Sequence, residues 1–225
     1  MYVTGTDTGA GKTVAACALV HALRARGHTV AAMKPVASGC QRDRHGHWRN
    51  GDVEALMAAS GIGPRADVNP FALPEPTAPQ LSAARAGMQV TLAPIQSAYG
   101  RLAQRAGQVL VEGVGGWAAP LSDRLDQAQL ARALACDVVM VVGLRLGCLS
   151  HARLTARAVR ADGLLLRGWI GSCVDPGFAD AASYVQLLRA AIPAPCWGVL
   201  PHRQPPEPRT LSAHLDPQGW PATNQ

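Results

Sequence analysis

The sequence predicts one α/β domain in three layers, a mainly parallel sheet with helices on both faces, spanning residues 1–225. Three observations predict it. Short apolar runs alternate with helix-period segments along nearly the whole chain, the pattern of repeated strand-helix-strand units. Hydrophobic residues make up 48% of the chain but aromatics only 4%, so the core must be Ala, Val and Leu packed closely between helix and sheet. The first apolar tripeptide runs straight into GTDTGAGKT at residues 5–13, a glycine-rich loop opening a helix.

Taken in order, residues 2–4 form a strand and residues 13–26 a helix with Val14, Cys17, Ala18 and residues 19–23 on its apolar side, stopped by Gly27. Residues 28–33 become fully apolar, a second buried strand ending at Lys34. In open α/β sheets ligands sit at such carboxyl ends. Residues 34–50 read as a polar loop, residues 53–60 as a helix opened by Asp52, and the Pro- and Gly-rich residues 61–79 as a long ordered loop of functional length. Helical periods follow at 81–86 and 92–106. Residues 108–111 form a strand that delivers Glu112 at its end, the position of a metal-directing acid. A helix over 123–135, a strand over 136–142, a helix running to Ala161, a strand over 164–170 ending at Ser172, a helix over 179–191 and a strand over 196–200 before Pro201 complete the domain. From Gln204 the tail is Pro-rich and is expected to wrap the surface or fray.

The net charge of +6 comes from arginines scattered over helices rather than clustered, which argues against a nucleic-acid partner. The most apolar run, around residues 138–146, contains Arg145 and is far too short to cross a bilayer, so a cytoplasmic protein with no membrane partner is expected. Six cysteines without a CxxC pair read as reduced core residues. There is no HExxH and no GxSxG, and Cys148 and His151 lack further ligands nearby, which disfavours zinc and acyl-enzyme chemistry. Of 21 basic residues only Lys12 and Lys34 are lysine, and each follows a predicted strand. Lysine is a compact point charge that arginine does not replace.

The loop is a phosphate cradle in composition. Small residues let backbone N–H groups turn toward an anion, and the helix adds its positive end. Lys12 would reach terminal phosphates, and the Thr13 hydroxyl would meet a bridging Mg²⁺. The general pattern asks for glycine at position 6, where this chain has Thr6 with Gly5 one step earlier. Thr13, Asp52 and Glu112 are the three oxygen donors placed for the metal, with a helix N-cap as the alternative role for Asp52 and an arginine partner for Glu112.

Seven stretches then occur in order: GTDTGAGKT, KPVASG at 34–39, RNGD at 49–52, EPTAP at 75–79, VEGVGGW at 111–117, PLSD at 120–123 and GLRLGCLSHA at 143–152. Together they closely resemble the dethiobiotin synthetase family, over nearly the whole chain to Pro201. The resemblance implies a P-loop NTPase-like fold and an ATP-dependent cyclo-ligase that closes a ureido ring from 7,8-diaminononanoate and CO2. By match to the family, Gly9, Ala10, Gly11, Lys12, Thr13 and Val14 would hold ATP with Glu112, Gly115, Ser172 and Pro201. Lys12 and Lys34 would hold phosphate and carbamate oxygens, with Thr8 and Ser38 on the carbamate and Pro79 against the substrate. Thr13, Asp52 and Glu112 would place Mg²⁺, and the backbone of Gly147, Cys148, Leu149 and Ser150 would bind the substrate's distant carboxylate across a homodimer interface. The chain departs from the family pattern at Ser172, where Asn is usual, at Arg145 and Ser150 in place of Lys and Asn, and at Gln80 in place of His.

Two other readings share the loop. One is a nucleotide switch of the ParA and MinD kind, whose loop carries a further lysine where this chain has Asp7. The other is an amide-forming ligase of the cobyrinate type, which carries an additional glutamine-hydrolysing domain.

Overall fold

The computed structural model describes residues 1–220, and residues 221–225 of the predicted tail lie outside the described residues. Six strands form the main sheet: β1 (Tyr2–Gly5), β2 (Val30–Met33), β3 (Gln108–Gly116), β4 (Val138–Gly143), β5 (Leu166–Ser172) and β6 (Cys196–Leu200). Their spatial order is β6-β5-β4-β1-β3-β2, and every pairing is parallel. All carboxyl ends therefore share one edge. The loop after β1, Lys34 after β2, Gly147 after β4, Ser172 on β5 and Pro201 after β6 are gathered there by topology alone.

Side-chain alternation splits the core into two layers. On one face Tyr2, Met33, Val111, Met140 and Trp169 pack under helices Leu92–Ala103, Gln127–Ala133, Cys148–Ala161 and Ala181–Ala191. On the other, Val3, Leu110, Val141 and Ile170 pack under α1 (Lys12–Ala25) and α2 (Gly51–Ser60). Glu112 follows Leu110 by two, so its carboxylate points to the α1 face. The register between β1 and β3 shifts after Val3↔Glu112 and resumes at Gly5↔Gly116, placing an irregularity immediately beyond the acid.

Several expected boundaries are corrected. The strand that delivers Glu112 continues to Gly116, so the acid lies within it. Asp52 does not cap α2. Asn50 does, accepting from the N–H groups of Asp52 and Val53, which leaves the Asp52 carboxylate free for other work. The predicted helix over 123–135 is a hairpin, Pro120–Ser122 with Leu125–Asp126, and then a shorter helix Gln127–Ala133. Asp126, not Asp123, makes its capping box with Gln129. The loops after Lys34 contain paired strands Val36–Ala37 and Phe71–Ala72, a hairpin Gln41–Arg42 with Trp48–Arg49, and helix Arg65–Val68.

The tail wraps the surface over its described part. A short helix, Pro208–Leu211, buries Leu211 beneath α1, Leu215 bridges Gly198, and Arg26 pairs with Asp216.

Candidate active site

The phosphate loop passes twice through the left-handed region, at Gly9 (φ 78°) and Gly11 (φ 83°). Gly11 caps α1 without a side chain, so first-turn N–H groups remain available to an anion. The displaced glycine of the motif has a steric explanation. A Cβ at Gly5 would stand 2.9 Å from Lys12 Cγ and 3.0 Å from its Nζ, so Gly5 makes room for the stem of Lys12. That lysine donates to the Asp7 carbonyl at 2.9 Å. Burial, and then the neighbouring Lys34, bring its ammonium down to about 8, against the pull of Glu112, Asp7 and Asp52. A phosphate beside Lys12 would favour its charged form.

Lys34 is 3% exposed and its ammonium lies between two carboxylates, 2.5 Å from Glu112 Oε1 and 2.9 Å from Asp52 Oδ2. It also donates to the Gly113 carbonyl at 3.3 Å. Burial alone would discharge Lys34, but the attraction of Glu112 and Asp52 outweighs it and the net shift is upward. For Asp52 burial pushes upward, while Lys34, Thr13 and Lys12 draw the carboxyl down overall. Thr13 donates to the same Glu112 oxygen at 2.8 Å. Glu112 is fully buried, and its second oxygen has no hydrogen-bond partner.

These groups line one cavity of about 660 Å³. Thr8, Gly9, Gly11, Lys12 and Thr13 line it with Lys34, Ser38, Asp52 and Glu112, as do Pro79 and Gly115. The Ser38 hydroxyl is buried without a partner, although Asn50 fixes that loop by donating to the Ser38 carbonyl at 3.1 Å. The Thr13 hydroxyl and the carboxylates of Asp52 and Glu112, the latter with one buried oxygen unpartnered, form a hard-donor set that fits Mg²⁺.

The remaining expected residues sit around this cavity. Ala10 is buried against β4, and Val14 packs on the α1 side of the core. Ser172 is 7% exposed and lies against Gly11 of the phosphate loop. β5–β6 pairing sets Ser172 opposite Leu200, next to Pro201. Gly147, in the left-handed region, caps Cys148–Ala161 without a side chain; the Cys148 N–H donates to the Arg145 carbonyl at 3.1 Å, and Leu149 and Ser150 follow in the first turn with open N–H groups. Leu146 and Leu154 flank that turn with their side chains largely exposed.

Curated relatives named ATP-dependent dethiobiotin synthetase BioD match almost end to end. One from Xanthomonas oryzae pv. oryzae (strain PXO99A) is 57% identical over 203 residues, 90% of each chain. Another from Xylella fastidiosa (strain 9a5c) is 53% identical over 220 residues, 97% of each. The chain belongs to the dethiobiotin synthetase family. A family model described as an AAA domain also matches residues 1–210. Among solved structures, a ParA family ATPase from Chlorobium tepidum TLS has a TM-score of 0.56 at 12% identity, covering 95% of this chain and 89% of that one. The signal recognition particle receptor FtsY from Elizabethkingia anophelis, in complex with GDP, has a TM-score of 0.52 at 13% identity, covering 92% of this chain and 57% of that one. These likenesses establish a three-layer P-loop fold for this member of the dethiobiotin synthetase family.

Two features of the site escaped the sequence. Arg145 forms an ion pair with Asp7, tying the loop after β4 to the phosphate loop. The Asn69 amide donates to the Lys34 carbonyl at 2.7 Å and fixes the backbone behind that lysine. Both join residues far apart in the chain, and neither follows a local motif. The cavity wall at Pro76, Thr77 and Ala78 was signalled by the EPTAP stretch, though not residue by residue.

Proposed function

We propose that this chain closes the ureido ring of dethiobiotin from 7,8-diaminononanoate and CO2, with cleavage of ATP to ADP and phosphate, in biotin synthesis. The observation that carries the reading is the meeting of two buried lysines and the partnerless Ser38 hydroxyl in one cavity on the phosphate loop. One amine of the substrate adds to CO2 and loses a proton, giving a carbamate. A carbamate oxygen attacks the γ-phosphorus and ADP leaves. The second amine attacks the carbonyl carbon of the mixed anhydride and loses a proton, and phosphate leaves as the ring closes.

Nothing in this sequence needs a protein nucleophile. Catalysis is by position and charge. Lys12 neutralises phosphate oxygens, Lys34 faces the carbamate, and Thr8 and Ser38 orient it by hydrogen bonds. Bound Mg²⁺ would neutralise charge on the phosphates, held by Thr13, Asp52 and Glu112. The helix start at residues 147–150, with open N–H groups at Leu149 and Ser150, suits the substrate's far carboxylate. The exposed Leu146 and Leu154 beside them support a homodimer. The reading includes a cytoplasmic location with small-molecule partners, and no helix among the described residues is long and apolar enough to cross a membrane.

ADP release measured in Mg²⁺ and bicarbonate is expected to require the diamine. Release at the same rate without it would refute the ligase and favour a switch. Ser172 tests the base pocket: serine lacks the paired donor and acceptor of asparagine, so Ser172→Asn is expected to raise the preference for ATP over GTP in the same assay. An unchanged preference would remove Ser172 from base reading.

A further inference from the structure

We propose that Lys34 serves as the resident cation of the metal site, and that entry of the divalent ion displaces its ammonium from the two carboxylates and releases it toward the substrate. This rests on the reading of Thr13, Asp52 and Glu112 as metal donors. Glu112 is fully buried, and an ionised carboxylate there needs a compensating charge whether or not a metal is bound. Lys34 supplies that charge at 2.5 Å, and the same ammonium reaches Asp52 at 2.9 Å. The Thr13 hydroxyl meets the same Glu112 oxygen at 2.8 Å. All three donor groups thus surround or adjoin one lysine nitrogen, and one cation holds them together before another can.

The charges make the exchange directional. Lys34 directly pairs with both carboxylates but balances only one charge, and the Lys12 ammonium in the same cavity donates to the Asp7 carbonyl instead of pairing with them, so a divalent cation in direct contact with both carboxylates compensates them more fully. Once that cation is held, the ammonium is repelled and its nearest anionic partners are the phosphates and the carbamate. Lys34 and Ser38 already line the same cavity, so the displaced side chain has somewhere to go. The unpartnered second oxygen of Glu112 is a donor position that Lys34 leaves unused. A planar guanidinium would not fit where one ammonium nitrogen contacts both carboxylates, which accounts for lysine at this place in a chain whose only other lysine is Lys12. Metal entry then arms the enzyme, because the ammonium is withheld from the reaction until the metal has arrived.

The test needs no turnover. Binding of Mn²⁺ to nucleotide-free protein, followed by the spin-resonance signal of the free ion, is expected to be at least roughly 10-fold tighter in Lys34→Met than in the unaltered chain, since the competing charge is gone. Equal or weaker binding by the variant overturns the exchange. A second measurement works without substitution. With Lys12 and Lys34 the only lysines, protein labelled with ¹³C at lysine Cε should give two side-chain signals. Mg²⁺ added with a non-hydrolysable ATP analogue is expected to move the Lys34 signal away from its position with the analogue alone. Tight metal binding with an unmoved Lys34 signal overturns the exchange but keeps the metal site. If the unaltered chain binds no Mn²⁺ even with the analogue, the metal reading itself fails, and the exchange with it.

Discussion

Lys34→Arg is expected to lower kcat by roughly 10²- to 10³-fold, the scale of losing a positioned charge at a reacting oxygen. The charge survives the change but its placement does not. The lysine nitrogen sits between Glu112 and Asp52 with hydrogen bonds of 2.5 and 2.9 Å, in a pocket that leaves the residue 3% exposed. A guanidinium there must push the carboxylates apart or turn outward, and overpacking of this kind costs about 1–3 kcal/mol of stability. Lys12→Arg is expected to fall by a similar factor, because the stem of Lys12 already lies within 2.9 Å of where a Gly5 Cβ would be. Steady-state kinetics on folded variants decide both. Near-normal turnover in Lys34→Arg would take that residue out of the chemistry.

Glu112→Gln is expected to be the other severe change, affecting activity and stability together. The neutral amide keeps the shape, but removes the charge that holds Lys34 and orients the Thr13 hydroxyl. Breaking a buried ion pair by removing one partner leaves the other charge poorly compensated, a loss of up to about 3 kcal/mol here because Asp52 still faces Lys34. Thermal unfolding should show this loss. Turnover should drop by roughly 10²-fold or more, as for removal of a preorganised electrostatic group. A variant as stable and active as the unaltered chain would mean that the Glu112 carboxylate is a bystander.

Much of this architecture was legible because the main strands and helices have strong periods. The apolar runs at β1, β4 and β6 and the helices between them fell within a few residues of their observed ends. Elements of two residues, such as Val36–Ala37 with Phe71–Ala72, have no period to detect and form only because distant segments meet. The sequence opens helices at Asp123 and Asp52, yet Asp126 and Asn50 hold the cap positions. Several short polar residues preceded each helix, and tertiary packing chose among them. Within the site, the residue types were legible and their pairing was not. Thr13, Lys34, Asp52 and Glu112 could each be placed at an element end, but their contacts join residues up to 99 positions apart. Nothing local records them. Ser172 packs against Gly11, a contact between β5 and the phosphate loop that no local pattern announces.

On the proposed function, this cavity joins CO2 to a diamine at the expense of ATP. ¹³C-labelled bicarbonate, the diamine, ATP and Mg²⁺ incubated with the enzyme should yield one new ¹³C resonance in the ureido carbonyl range, in amounts equal to the ADP formed. ADP accumulating with no ¹³C entering the diamine product would contradict the account.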